Sequence, residues 1–170
     1  MMDKKMKIED ARESDISLLP PELLEEIIQR ALSSSPTPIR DIRSLRRTCK
    51  KFHAICSSKR VGKYVSVEDW SMYWHNKEGY FGFVRFCAES ENVNASFLLG
   101  LEEMVNLGRF DIALHHLQFA ASQGHIVSKY FMGVFLLGDE SSRSYAINLL
   151  NEKSLKREKI TGHALIERIL

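Results

Sequence analysis

The sequence predicts an all-α fold in two parts, a short helical module followed by a helical-hairpin repeat array. Three observations carry that expectation. Apolar residues recur at helical spacing through most segments, the second half repeats itself with a period of 33 residues, and no segment sustains strand-like alternation. Of the 170 residues, 44% are apolar and 27% charged, an ordinary globular balance that excludes wholesale disorder. With 24 Lys and Arg against 22 Asp and Glu, the net charge of +2 sets up no global field toward nucleic acid or membrane. The three cysteines, Cys49, Cys56 and Cys87, have no paired spacing, which suits a reducing compartment. The N-terminus has no apolar core of the signal-peptide kind, and no run approaches the roughly 18 apolar residues of a membrane span. The chain reads as soluble and intracellular, in the cytoplasm, the nucleus or both.

Residues 1–16 are polar and aperiodic, a flexible tail. The helical module is expected over 17–60. In it Leu18-Leu19-Pro20-Pro21 leads into a helix where Leu23, Leu24, Ile27, Ile28 and Ala31 recur at helical spacing. Pro21 fits the first turn, where no amide hydrogen is needed, and Glu22, Glu25 and Glu26 suit the positive end of the helix dipole. The stretch Ser33 to Pro38 reads as a loop, and Asp41 as the residue capping the next helix. There Ile42, Leu45, Cys49, Phe52 and Cys56 form one stripe at spacings of 3, 4, 3 and 4, with the bases on the other sides. Residues 61–79 read as a connector. Tyr64-Val65-Ser66-Val67 is briefly strand-like but too short for a sheet, while Trp70, Tyr73 and Trp74 share a helix face and pack the two parts together.

The repeats occupy residues 80–170. A shift of 33 aligns Phe86 with Phe119, Ala88 with Ala121, Gly100 with Gly133, Ala113 with Ala146 and Leu117 with Leu150. Such a period marks stacked helix pairs, with helices expected near 80–90, 94–107, 110–122, 126–137 and 143–152. Gly108, Gly124 and Gly138 follow apolar runs as left-handed helix stops. Gly100 and Gly133 instead fall inside helices, at about 1 kcal/mol each relative to Ala. Their recurrence at one repeat position implies close helix approach. Thr161 opens a segment one period after Ser128, so the array ends about half a unit in.

Catalytic chemistry finds no constellation. The sequence holds no phosphate loop, nucleophile elbow or HExxH, and Glu25-Glu26 and Glu102-Glu103 are adjacent pairs that do not converge. Cys49, His53 and Cys56 share a helix face, but zinc takes four ligands and no fourth has suitable spacing. His115 and His116 point apart. No metal or cofactor is expected. The bases from Arg40 to Lys51 flank an apolar stripe as a solvated helix side does, without a stacking platform or zinc knuckle, which disfavours nucleic acid as a partner. The module itself carries Leu19, Leu23, Ile27, Leu45, Cys49 and Phe52, more apolar groups than about 40 residues can hide internally. The surplus calls for a partner that covers it.

Leu19-Pro20-Pro21-Glu22-Leu23-Leu24-Glu25-Glu26-Ile27, followed by Leu45-Arg46-Arg47-Thr48-Cys49-Lys50-Lys51-Phe52, resembles the F-box. Thr48 stands where that family usually has Val, Phe52 where it has Trp, and the loop Ser33 to Pro38 is longer than typical. The segments Ala113 to Gly124, Leu98-Leu99-Gly100 and Phe131-Met132-Gly133 resemble Sel-type or tetratricopeptide repeats, the combination found in plant F-box proteins. The resemblance implies a non-catalytic substrate receptor that docks a Skp-type adaptor of an SCF ubiquitin ligase. The adaptor-binding residues it implies are Leu19, Pro20, Leu23, Ile27, Leu45, Cys49, Lys50 and Phe52, with the repeats holding a target protein of unknown identity. Two other readings stand beside it, a helical-repeat scaffold with no ligase link and a basic nucleic-acid-associated protein.

Overall fold

The structure, a computed structural model, describes residues 19–68 and 70–151. The expected tail over 1–16 and the segment from Thr161 lie outside the described residues, as does the side chain of Trp70. The fold is all-α, ten helices in the described residues and no strand. Helix α1 spans Pro21–Ser33 with Pro21 in its first turn. The Pro20 carbonyl opens its ladder by accepting from Leu24 N at 3.1 Å. Leu24, Ile28 and Leu32, one turn apart, form its buried stripe.

The next segment departs from the sequence reading in two ways. Helix α2 runs Pro38–Thr48, so Pro38 is its first residue and Asp41 lies in the first turn instead of capping it. Ser35 does the bridging. Its hydroxyl accepts from Thr37 N at 2.9 Å and donates to the Asp41 carboxylate. The single stripe from Ile42 to Cys56 is also divided. Thr48 Oγ1 donates to the Leu45 carbonyl at 2.7 Å, and Cys49 is extended at φ −158°, ψ 167°, which starts a separate α3, Lys50–Ile55. The stripe survives the break in part, with Ile42 and Cys56 buried and Leu45 and Phe52 half-buried against them.

Helix α4 (Lys59–Tyr64) is capped by Ser58, whose Oγ accepts from Val61 N. After it, Val65 and Val67 are buried in extended chain. Then come α5 (Trp70–His75), α6 (Lys77–Glu89), α7 (Val93–Leu101, continuing as a π-helical turn Glu102–Asn106), α8 (Phe110–Ser122), α9 (Ile126–Leu136) and α10 (Arg143–Asn151). Helices α7 and α8 form one hairpin and α9 and α10 the next, with α6 against α7 and α8 against α9.

The 33-residue period shows in the backbone where one repeat passes into the next. Gly124 turns left-handed at φ +89°, and its equivalent Glu91 does the same at φ 64°. The following residue closes the same turn each time, Asn92 N onto Cys87 O and His125 N onto Ala120 O, both at 3.0 Å. That same residue then caps the next helix: Asn92 Oδ1 accepts from Ala95 N, and His125 Nδ1 from Ser128 N. Gly108 is left-handed at φ +63°, but Gly138 is not among the positive-φ glycines, and the α9–α10 turn is instead held by Asp139 with Ser141. At Gly100 a Cβ would stand 2.9 Å from Leu117 Cγ, and at Gly133 2.7 Å from Leu150 Cγ, so glycine sets the closeness of both hairpins.

Burial holds the His125 imidazole below its usual value of 6.5, and it rests against the Phe97 ring at 4.6 Å between centroids. Its Nδ1 caps α9 only when that nitrogen carries no proton. Since the folded pKa is depressed, the unfolded chain binds the proton first. The stabilisation is therefore complete above pH 6.5 and is lost as pH falls through the folded value. Thermal melts of the wild type are expected to lose on the order of 1 kcal/mol between neutral pH and pH 5 through this cap. His125→Asn, which installs the residue found at equivalent position 92, is expected to lose less. Equal acid losses in both proteins would remove His125 as the cause.

One apolar cluster runs without interruption from Leu24, Ile28, Leu32, Ile39 and Ile42 through Cys56, Val61, Val65 and Val67 to Tyr80, Val84, Cys87 and Leu99. The module and the first repeat thus share a core. Gly62 makes the joint possible, because a Cβ there would lie 2.7 Å from Ser90 Cβ and 3.1 Å from the Phe86 ring. Tyr73 packs edge-on to Tyr80 and Phe81 as a connector residue should, whereas Trp74 is 72% exposed and takes little part in that packing.

Candidate functional site

The doublets Leu23-Leu24 and Ile27-Ile28 give α1 two apolar stripes. Leu24 and Ile28 point into the shared core. Leu23 and Ile27, one turn apart, are each 49% exposed on the outer side. Leu19 is half-buried at the head of this stripe, and its carbonyl accepts from Lys51 Nζ at 2.9 Å, tying the lead-in segment to α3. Pro20 is exposed in an extended conformation, φ −51°, ψ 140°.

Charged groups fix the edges of the stripe. Glu26 pairs with Arg30 at 2.7 Å. Glu25 turns toward α4, where Ser58 Oγ donates to one carboxylate oxygen and Arg60 pairs with the other at 3.2 Å. Between α1 and α4 lies an open groove of about 580 Å³ whose walls include Glu22, Leu23 and Tyr64.

The remaining residues from the sequence reading fall into two groups. Cys49 and Lys50 are exposed at the α2–α3 break. Leu45 and Phe52 are half-buried and packed against the core, so the chain itself covers part of the apolar surplus. Cys49 and His53 are exposed while Cys56 is buried, so the three do not share the face that a continuous helix would have given them. Burial pushes the Cys87 thiol up to about 12 and raises Cys56 as well, with the Arg46 guanidinium opposing both shifts. These two are packing groups and not reactive thiols.

Sequence reasoning missed two polar residues. Arg46, placed among the solvated bases, turns inward. It donates to the Cys56 carbonyl at 2.8 Å and lies 5.5 Å from the Phe86 ring centroid, linking α2 to α6. Asn92 is buried and its Nδ2 donates to the Gly62 and Val65 carbonyls at 3.0 and 2.9 Å. An Asn directly before the apolar run that opens at Val93 was the available signal for the second, in its capping role. For Arg46 the signal was its spacing, four residues after Ile42 and seven after Ile39, on the buried side of α2.

Comparison with known proteins bears on this geometry. The family described as plant tetratrico peptide repeats matches residues 66–168, and the F-box domain matches residues 35–64. The F-box match takes in Leu45, Cys49, Lys50 and Phe52 and begins after α1. A curated protein of Arabidopsis thaliana, provisionally named as an F-box protein, is 33% identical over 120 residues. That alignment covers 70% of this chain and 39% of the relative, so the chain spans well under half the length of the protein it matches. No solved structure matches the chain. Among the described residues no helix is long and apolar enough to cross a membrane.

Proposed function

The chain belongs to the family of plant tetratrico peptide repeats and carries an F-box domain, and from that membership we propose that it serves as substrate receptor of an SCF-type ubiquitin ligase. In this reading a Skp-type adaptor covers the outer stripe of α1 and the α2–α3 break. Leu23 and Ile27 insert as the apolar anchors, Leu19 and Pro20 hold the extended lead-in, and Leu45, Cys49, Lys50 and Phe52 complete the contact. The observation that carries it is the pair Leu23 and Ile27. They leave half their surface in water on a helix whose adjacent stripe is fully packed, beside the matched F-box.

The chain's contribution is proximity and not bond-making, since holding a target beside the transfer machinery raises its effective concentration there. The repeats supply the target surface. Val105, Leu107 and Phe110 are exposed there, and Phe110 stacks on Phe135 at 5.4 Å. The cytoplasm or nucleus is the setting in which such a ligase works. Co-expression of the full chain with a Skp-type adaptor is expected to give a complex that co-elutes on gel filtration. The double variant Leu19→Ala with Pro20→Ala is expected to lose it. If the wild type elutes alone, the receptor reading falls and a repeat scaffold without a ligase link takes its place.

A further inference from the structure

Five ion pairs tie up charge on the described surface, and among the exposed bases left over, Lys50, Lys59, Arg85 and Arg143 included, only α2 gathers three on one face. Glu26–Arg30, Glu25–Arg60, Glu91–Lys63, Glu102–Lys77 and Glu103–Arg109 are ion pairs at 2.5 to 3.2 Å. Arg46 is taken up internally. Arg40, Arg43 and Arg47 are all exposed, and none has an ion-pair or hydrogen-bond partner among the described residues. At i, i+3 and i+7 they leave α2 within a wedge of about 60°, flanking the side that buries Ile39 and Ile42. Like charges at one-turn spacing repel each other. The column therefore stands without a counter-charge of its own.

Its chemistry selects an occupant. A guanidinium fork matches a carboxylate in two parallel hydrogen bonds, and the steps along α2 are about 4.5 and 6 Å, the spacing of side chains one helical turn apart. A nucleic acid would match the charge as well. However, the column offers only three unpaired guanidiniums, and no exposed aromatic ring accompanies them on α2. We propose that the outer face of α2, formed by Arg40, Arg43 and Arg47, is a docking surface for an acidic polypeptide segment with carboxylates one helical turn apart. It is separate from the Leu23–Ile27 stripe and does not depend on what covers that stripe.

The test titrates the full chain with a synthetic helical peptide carrying glutamates one turn apart, with its glutamine counterpart, and with single-stranded RNA and duplex DNA, each at low and physiological salt. The glutamate peptide is expected to bind, and the triple variant Arg40→Gln, Arg43→Gln, Arg47→Gln to weaken it about tenfold or more while melting like the wild type. A full chain with Glu9, Asp10, Glu13 and Asp15 neutralised is expected to bind the peptide unchanged. The proposal is overturned if the peptide does not bind, if it binds the triple variant equally, or if RNA or DNA binds more tightly. It is also overturned if neutralising the four N-terminal acids strengthens peptide binding tenfold, since the chain's own acids would then be the occupant.

Discussion

Asn92→Asp is expected to destabilise the protein by about 3 kcal/mol or more, although it changes one amide to a carboxylate of the same shape. Asn92 is 4% exposed and serves two segments at once. Its Oδ1 caps α7 through Ala95 N, and its Nδ2 supplies both hydrogens that reach the Gly62 and Val65 carbonyls across the joint. Asp keeps the cap and even suits the helix dipole. It has no hydrogen to give, so two buried carbonyls lose their donors and face a carboxylate, at roughly 1–3 kcal/mol each. Asn92→Ala leaves the same two carbonyls without donors and also drops the cap, worth about 1 kcal/mol. Both losses are large beside the 5–15 kcal/mol that holds a typical domain together. Urea titration of the three proteins checks the ranking. An Asp variant as stable as the wild type would mean that the cap matters and the joint does not.

That joint marks the limit of what the sequence discloses. The helical class and the period were legible because both rest on local chemistry repeated at fixed spacing: apolar faces, a left-handed stop at Gly124, and glycines at 100 and 133 where two helices nearly touch. The left-handed Glu91 was hidden, since the repeat position that carries Gly124 carries a residue with no local preference for that conformation. The break at Cys49 was hidden for a different reason. Two short helices meeting at an extended residue keep most of the same side chains inward, so the stripe reads identically with or without the break. Arg46 was counted among the solvated bases although it follows Ile42 by one turn, because what a buried guanidinium could bond to, the Cys56 carbonyl and the Phe86 ring, comes beside it only in the tertiary fold. The outer stripe of α1 was named as exposed surplus through Leu23 and Ile27, which the structure leaves half in water, but Leu45 and Phe52 were counted with it, and packing against the chain's own core shelters them in part.

The doublets of α1 make the sharpest functional comparison, because adjacent residues of like chemistry are expected to fail in opposite ways. Leu24 is 1% exposed in the shared core, so Leu24→Ala removes packed methyl groups and leaves a cavity, at about 3 kcal/mol. Its neighbour Leu23 and the equivalent Ile27 already give half their surface to water. Leu23→Ala with Ile27→Ala is therefore expected to shift stability by no more than about 1 kcal/mol. Binding to a Skp-type adaptor should reverse the order. In the proposed docking the two exposed side chains would be the desolvated centre of the interface, and losing both is expected to weaken affinity about a hundredfold, or about 2.7 kcal/mol. Leu24→Ala, measured below its melting temperature, is expected to bind within about threefold of the wild type, since it touches no partner. Calorimetric melts and adaptor titrations on the same three proteins separate the two quantities. An outer-stripe double variant that binds as tightly as the wild type would move the docking face off α1, whatever the melts report. A Leu24 variant that folds normally yet fails to bind would mean that the two stripes have been assigned the wrong way round.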